Sequence, residues 1–225
     1  MLVRHGRTAW SDQGRYTGHA DVPLSPAGLA EARGAAKVLA EHLADGPVGG
    51  AALVVTSDLS RATATARVIA DALSAAMVVD SGLREEALGP WKGLTREEAG
   101  VRFPERYEDW LAGRSDAFAG REGLDRVASR AVAALHRAVL RPRSSEPSGH
   151  QGLVVVTHAN TVLALVGRLC GLDRRVWTAV PAPPPGGHLT LVREATQLNW
   201  TVCRAAEGRA WASNPPSRKE ARASP

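Results

Sequence analysis

A chain of 225 residues, 44% of them apolar, has enough material for one large domain with a proper core. No run of about 18 apolar residues occurs, which argues against a membrane helix; no charged region followed by an apolar stretch opens the chain, so no secretory signal is read and a cytoplasmic protein is expected. The net charge is +5, but residues 204–225 carry four Arg and one Lys against two Glu, and no basic block or RNA-binding motif appears, so nucleic-acid binding is set aside.

Leu2-Val3 ends a short apolar run that Arg4-His5-Gly6 stops abruptly, which predicts a strand followed by a sharp turn. Residues 10–22 read as a polar loop. A helix then starts at Pro26, capped by Ser25. Its apolar face is Leu29, Ala32, Ala36, Leu39 and Leu43, and Gly46-Pro47 ends it. After a loop over 48–50, the unbroken apolar run 52–56 predicts a buried parallel strand. A helix follows over 62–75, a strand over 77–80 and an irregular segment over 82–93. Residues 95–113 predict one or two short helices broken at Pro104, and 115–123 a loop. A helix is predicted over 122–140, a surface loop over 142–152, a strand over 153–157 and a helix over 160–170. Pro181 to Gly187 is a loop; 189–193 and 198–204 read as an antiparallel hairpin. Beyond Ala205 the Ala, Ser, Pro, Arg and Glu content predicts a poorly ordered tail. Cys170 and Cys203 lack metal-ligand spacing and are expected as two buried thiols in a reducing compartment.

Alternating strands and helices point to an α/β fold, a three-layer sandwich with a mostly parallel central sheet flanked by helices. Residues 1–204 form the catalytic domain on this reading, with 95–123 as a cap that sets specificity and 205–225 as tail. Ligands of such sheets sit beyond the carboxyl ends of the strands. Polar clusters follow three apolar strands: Arg4-His5, then Ser57 to Arg61, then His158. One sheet edge can therefore collect two Arg and two His.

That inventory suits a phosphoryl group, which carries nearly two negative charges and three acceptor oxygens. Arg4 and Arg61 can clamp the oxygens, His158 can add a donor, and His5 can attack phosphorus to form a phosphohistidine that water later breaks. The departing alkoxide needs a proton from a carboxylic acid that holds one near neutrality. Glu85 and Glu86 in the irregular segment are the candidates, one of them facing an apolar neighbour such as Trp91. The Arg residues within 96–121 could hold a second anionic group or form a solvated face.

At these residues the chain resembles the histidine phosphatase superfamily, also called phosphoglycerate mutase-like. Leu2-Val3-Arg4-His5-Gly6-Arg7-Thr8, with Gly14 to Leu24 behind it, resembles that family's opening. Ser57-Asp58-Leu59-Ser60-Arg61-Ala62 with Thr65-Ala66 is similar to its second signature. Leu83-Arg84-Glu85 with Gly89, Trp91, Gly93 and Leu94 is similar to its acid loop, and Val155-Val156-Thr157-His158 to its last signature. The resemblance spans about residues 1 to 205 with its signatures in order. It implies a phosphoglycerate mutase-like fold, a phosphohistidine on His5, phosphate binding by Arg4, Arg61 and His158, Glu85 as acid and base, and no metal or cofactor. Three positions depart from the pattern. Ser11 stands where Asn is usual, and its hydroxyl would donate to a phosphate oxygen. Ala159 stands where Gly is usual, and its amide reaches phosphate only if φ is negative. Arg121-Glu122-Gly123 replaces Gly-Glu-Ser.

The expected function is hydrolysis of a small phosphorylated metabolite, a sugar phosphate or phosphoglycerate derivative, with no nucleic-acid or membrane partner. A homodimer is compatible with these residues. A rival is a bisphosphoglycerate-dependent mutase, which Thr17-Gly18 resembles; Glu85-Glu86-Ala87-Leu88-Gly89 lacks the middle of the mutase loop. A second rival is a non-catalytic phospholigand-binding protein.

Overall fold

Val- and Leu-rich runs without alternation have to bury both faces, and the layers of this molecule follow from that. The structure is a computed structural model that describes residues 1–45, 53–111, 120–140, 152–193 and 199–205. Its strands are β1 (Leu2–Arg4), β2 (Leu53–Thr56), β3 (Met77–Val79), β4 (Leu153–Thr157), β5 (His188–Val192) and β6 (Thr201–Ala205). Its helices are α1 (Ala9–Asp12), α2 (Pro26–Asp45), α3 (Ser60–Leu73), α4 (Arg96–Arg102), α5 (Pro104–Leu111), α6 (Leu124–Val139) and α7 (Ala159–Leu169). The sheet order is β3-β2-β4-β1-β5-β6. The first four strands of that order are mutually parallel. The pairs β1–β5 and β5–β6 are antiparallel.

Alternate residues of each strand serve opposite layers. Val3, Val54, Val154 and Val156 pack with Ala36 and Leu39 of α2 and with Ala66 and Ile69 of α3. Leu2, Val55 and Val155 pack with Ala131 and Ala134 of α6 and with Val162, Leu165 and Val166 of α7. Each such Val or Leu removed from water stabilises the fold by roughly 1.5–3 kcal/mol. The three layers and the mostly parallel sheet are as expected. The register puts Val3 beside Val156 and Val55 beside Val155, so β1, β2 and β4 end at one edge.

Several boundaries differ for local reasons. Helix α1 takes up the start of the loop expected over 10–22, because Thr8 and Ser11 form a reciprocal cap. Helix α3 starts two residues early, at Ser60, and α6 two residues late, because Gly123 takes φ 82° and ends the extended approach. A 3₁₀ turn over Arg174–Ala179 went unread in the sequence. Helix α4 ends at its cap Phe103 and α5 begins at Pro104, where the break was expected. Around Trp91 they build a small core of their own with Leu88, Ala99, Tyr16, Phe103, Tyr107 and Trp110. Cys170 is half-buried, not fully buried as expected. The helix end read at Gly46-Pro47, the loop read over 48–50, all but the last residue of the loop over 142–152, part of the loop over 115–123, the start of the last strand at 198 and the tail beyond 205 lie outside the described residues, as does the Cys203 side chain.

Candidate active site

His5 follows β1 directly, and the chain must then turn past α2. Gly6 permits this, since a Cβ there would sit 2.1 Å from the Gly28 carbonyl oxygen. The Gly6 N–H donates to Thr65 Oγ1 at 3.2 Å, and Thr65 Oγ1 donates to the Arg61 carbonyl at 2.8 Å. One hydroxyl thus ties the His5 turn to the first turn of α3. Asp21 supplies that helix with its cap, accepting the Ser60 N–H at 2.7 Å, and the Ser60 hydroxyl, then its N–H, hold the Asp21 carboxyl below the usual range. The same loop fixes the Arg61 guanidinium. Nη1 donates to the Ala20 carbonyl at 2.7 Å and Nη2 to the Gly18 carbonyl at 2.8 Å. Gly18 takes φ 51° to present that oxygen, and Thr17 closes the turn by accepting the Ala20 N–H.

The protonation of His5 is set from both ends of its ring. Nδ1 lies 2.6 Å from the Gly6 carbonyl, which only accepts, so Nδ1 carries the proton. Arg61 Nε–H donates to Nε2 at 3.2 Å, so Nε2 presents its lone pair. Burial, then the Arg61 charge, push the His5 pKa down to about 3. His158 lies edge-on, with ring centroids 5.0 Å apart. Burial, then its neighbours His5 and Arg61, lower its pKa well below the usual value. Both rings are neutral near pH 7. His158 is fully buried, and neither of its ring nitrogens has a hydrogen-bond partner among the described residues.

Arg4 donates to the Pro183 carbonyl at 3.1 Å. Burial pulls the pKa of Arg4 and Arg61 down and the Glu85 charge pushes both back up, but a guanidinium stays charged. Among the described residues no carboxylate is within hydrogen-bonding distance of either. Among the described residues, a half-buried Arg4 and a buried Arg61 bond only to carbonyls and an imidazole, an arrangement that an anion would complete.

Glu85 and Glu86 separate cleanly. Glu86 is fully buried and forked by Arg121, at 2.8 and 3.0 Å. It also accepts the Gly123 N–H at 3.2 Å and Asn160 Nδ2–H at 3.0 Å. Burial raises its pKa while Arg121 opposes. Among the described residues Glu85 accepts only from backbone amides, Glu86 N–H at 2.9 Å and Asn160 N–H at 3.4 Å. Of the two carboxylates it is therefore the one with acceptor capacity to spare. Trp91 lies against the Arg121 guanidinium that forks Glu86, which ties this ring to the Glu86 side. Arg121 itself is neither solvated nor turned to a second anion; it is a buried ion-pair partner.

Ser11 Oγ donates to the Thr8 carbonyl at 2.8 Å and accepts the Thr8 N–H at 2.7 Å. Its one proton is spent on the cap, so donation to phosphate would require leaving it. Ala159 opens α7 with negative φ, since Ser74 is the sole described non-Gly residue at positive φ. Ala159 is the first residue of α7 behind the cap His158, so its N–H has no acceptor within the helix and suits an anion.

Sequence reasoning missed four supports. Thr65 was quoted in a signature without a role. Arg130 fastens the acid segment, donating to the carbonyls of Gly82, Arg84 and Glu85 and to Glu122. Its position in a regular helix gave no signal. Asn160 and Arg121 hold the two glutamates. His19 donates Nε2–H to the Glu85 carbonyl at 2.7 Å and adds a further tie to that segment.

Comparison with known proteins bears on the family and the fold. Residues 1–202 match the family described as histidine phosphatase superfamily (branch 1). A bifunctional protein of Mycobacterium tuberculosis is 37% identical over 168 residues, which are 74% of this chain and 42% of that protein. The chain thus spans about two fifths of that relative. A glucosyl-3-phosphoglycerate phosphatase of Mycolicibacterium vanbaalenii is 32% identical over 178 residues, 79% of this chain and 76% of the relative. A mycobacterial glucosyl-3-phosphoglycerate phosphatase solved with inorganic phosphate superposes with a TM-score of 0.74 at 27% identity, covering 89% of this chain and 93% of that one.

Proposed function

The chain belongs to the histidine phosphatase superfamily, and from that footing we propose that it is a phosphomonoesterase acting through a phosphohistidine on His5, with Glu85 as proton donor. The observation that carries the reading is the state of His5. Its imidazole is neutral, its proton is pinned on Nδ1, and its Nε2 lone pair is turned to a buried guanidinium beside a second imidazole.

In the first half-reaction Nε2 attacks phosphorus in line, the bond to the alcohol oxygen breaks, and Glu85 passes its proton to that oxygen. Arg4, Arg61, His158 and the Ala159 amide take the phosphoryl oxygens where negative charge spreads. The Arg61 Nε–H bond shifts from Nε2 to one of those oxygens and so frees the lone pair. In the second half-reaction water attacks phosphorus and the electron pair of the P–N bond returns to Nε2. The Glu85 carboxylate takes the proton of that water. Thr17 and Gly18 border the group through the loop that holds Arg61, and Ser11 reaches it only by releasing Thr8. A small phosphorylated metabolite of sugar phosphate or phosphoglycerate type fits this reading. Relatives named for glucosyl-3-phosphoglycerate support that class, with residues 95–123 as the specificity cap.

The test is phosphate release from a panel of phosphomonoesters, with rapid-quench capture of an acid-labile phosphoenzyme. We expect turnover and label in the parent and neither in His5→Ala. Interconversion of 2- and 3-phosphoglycerate dependent on bisphosphoglycerate would instead mark a mutase. Tight phosphate binding with no phosphoenzyme would mark a binding protein.

A further inference from the structure

Resting on the assignment of Glu85 as proton donor, we infer that Arg121 is a positioning residue for that donor, acting through a closed network with Glu86 and Asn160. The argument starts at the Glu85 carboxyl group. Its two oxygens are held by two backbone amides, Oε1 by the N–H of Glu86 and Oε2 by the N–H of Asn160. The residues that own those amides are bonded to each other through their side chains, Asn160 Nδ2–H to Glu86 Oε2 at 3.0 Å. Arg121 closes the arrangement by forking both oxygens of Glu86, and the Gly123 N–H adds a further bond. A carboxylate cannot swing while both of its donors belong to a cross-tied pair, and the pair cannot drift while a planar guanidinium grips one member.

The far side of Arg121 is equally fixed. Its guanidinium carbon lies 5.2 Å from the centre of the Trp91 ring and 5.5 Å from that of Trp110. These two rings stand nearly perpendicular, at 89°, and Trp110 belongs to α5. The chain of contact therefore runs from the aromatic core of the α4–α5 region, through Arg121 and Glu86, to the groups that aim Glu85. The segment that borders the substrate on our reading is thereby coupled mechanically to the proton donor. A buried ion pair contributes little net stability against an apolar replacement, and geometric specification of a neighbouring group is what this one supplies.

A misplaced acid harms only reactions that need one. We would compare kcat/KM, which reports enzyme phosphorylation alone, for p-nitrophenyl phosphate and for glycerol phosphate. The nitrophenolate leaves without a proton; the glycerol alkoxide does not. Glu85→Gln sets the scale by losing glycerol phosphate turnover selectively. Arg121→Gln and Asn160→Ala are expected to lose roughly 10- to 100-fold on glycerol phosphate and less than about threefold on the aryl ester, with partial recovery in Arg121→Lys. Asn160→Ala leaves the ion pair intact, so it carries the test if Arg121→Gln does not fold. Equal losses on both esters, or none on either, with Glu85→Gln still selective would overturn the positioning role and leave the proposed function standing. A non-selective Glu85→Gln would overturn the acid assignment and this inference together.

Discussion

The two pocket imidazoles make the site sensitive to acid in a direction the geometry dictates. His5 titrates at about 3 in the folded chain against 6.5 as the ordinary value, and His158 is also lowered. Between those values the unfolded chain binds protons that the folded chain refuses, so stability falls as pH drops. The contribution of neutral histidine is complete above pH 6.5 and is lost progressively toward pH 3. We expect the thermal midpoint to fall from pH 7 to pH 4.5, with a visibly shallower fall in His158→Gln, followed by calorimetry. An unchanged slope in that variant would mean His158 is not held neutral. Chain neighbours reveal little of this. Arg4 and His5 announce themselves by following an apolar run, whereas the residues alone left Glu85 and Glu86 open; the resemblance pointed to Glu85, and the partner that occupies Glu86, Arg121, comes from 35 residues away.

At the scale of elements, backbone crossings aim the side chains. The turn after β1 and the first turn of α2 touch so closely that a Cβ on Gly28 would sit 2.0 Å from the Arg7 carbonyl oxygen. Gly28→Ala is expected to cost about 1–3 kcal/mol and to lower phosphatase activity with it, because the His5 turn must move. Urea denaturation and initial rates check both; a loss of stability with full activity would show the turn can relax outward. The opposite sign is expected at Ser74, which ends α3 at φ 48°, ψ 38°. Ser74→Gly should gain about 0.5–1 kcal/mol by removing the Cβ penalty of a left-handed cap, read from the same urea curves without change in rate. Period and composition located most helices within two residues. They failed at α1, because the box between Thr8 and Ser11 is a four-residue event that no apolar stripe marks.

Over the whole molecule, the pocket is a junction of segments distant in sequence. Residues after β1, at the start of α3, in the 83–86 segment and at the start of α7 meet at one end of the sheet. A bound anion would therefore fasten elements from across the chain, and its binding energy would appear as global stability. Inorganic phosphate at about 100 times its Kd should stabilise the fold by about 2.7 kcal/mol, seen as a rise in thermal midpoint that grows with concentration. Arg61→Ala should abolish that rise. A shift of equal size in the variant would place the anion elsewhere.

Local order was written in the residues themselves. Unbroken Val and Leu runs demand burial on both faces, and Arg4, His5 and His158 stand directly behind them, so the layered architecture and the meeting of these side chains at one sheet edge could be read in advance. Partner choice could not. Whether Glu86 is a donor or a strut, whether Ser11 caps or binds, and whether Arg121 faces solvent depends on which groups arrive from other elements. A hydrogen bond is made or lost within fractions of an ångström, and only the packed chain fixes distances that finely.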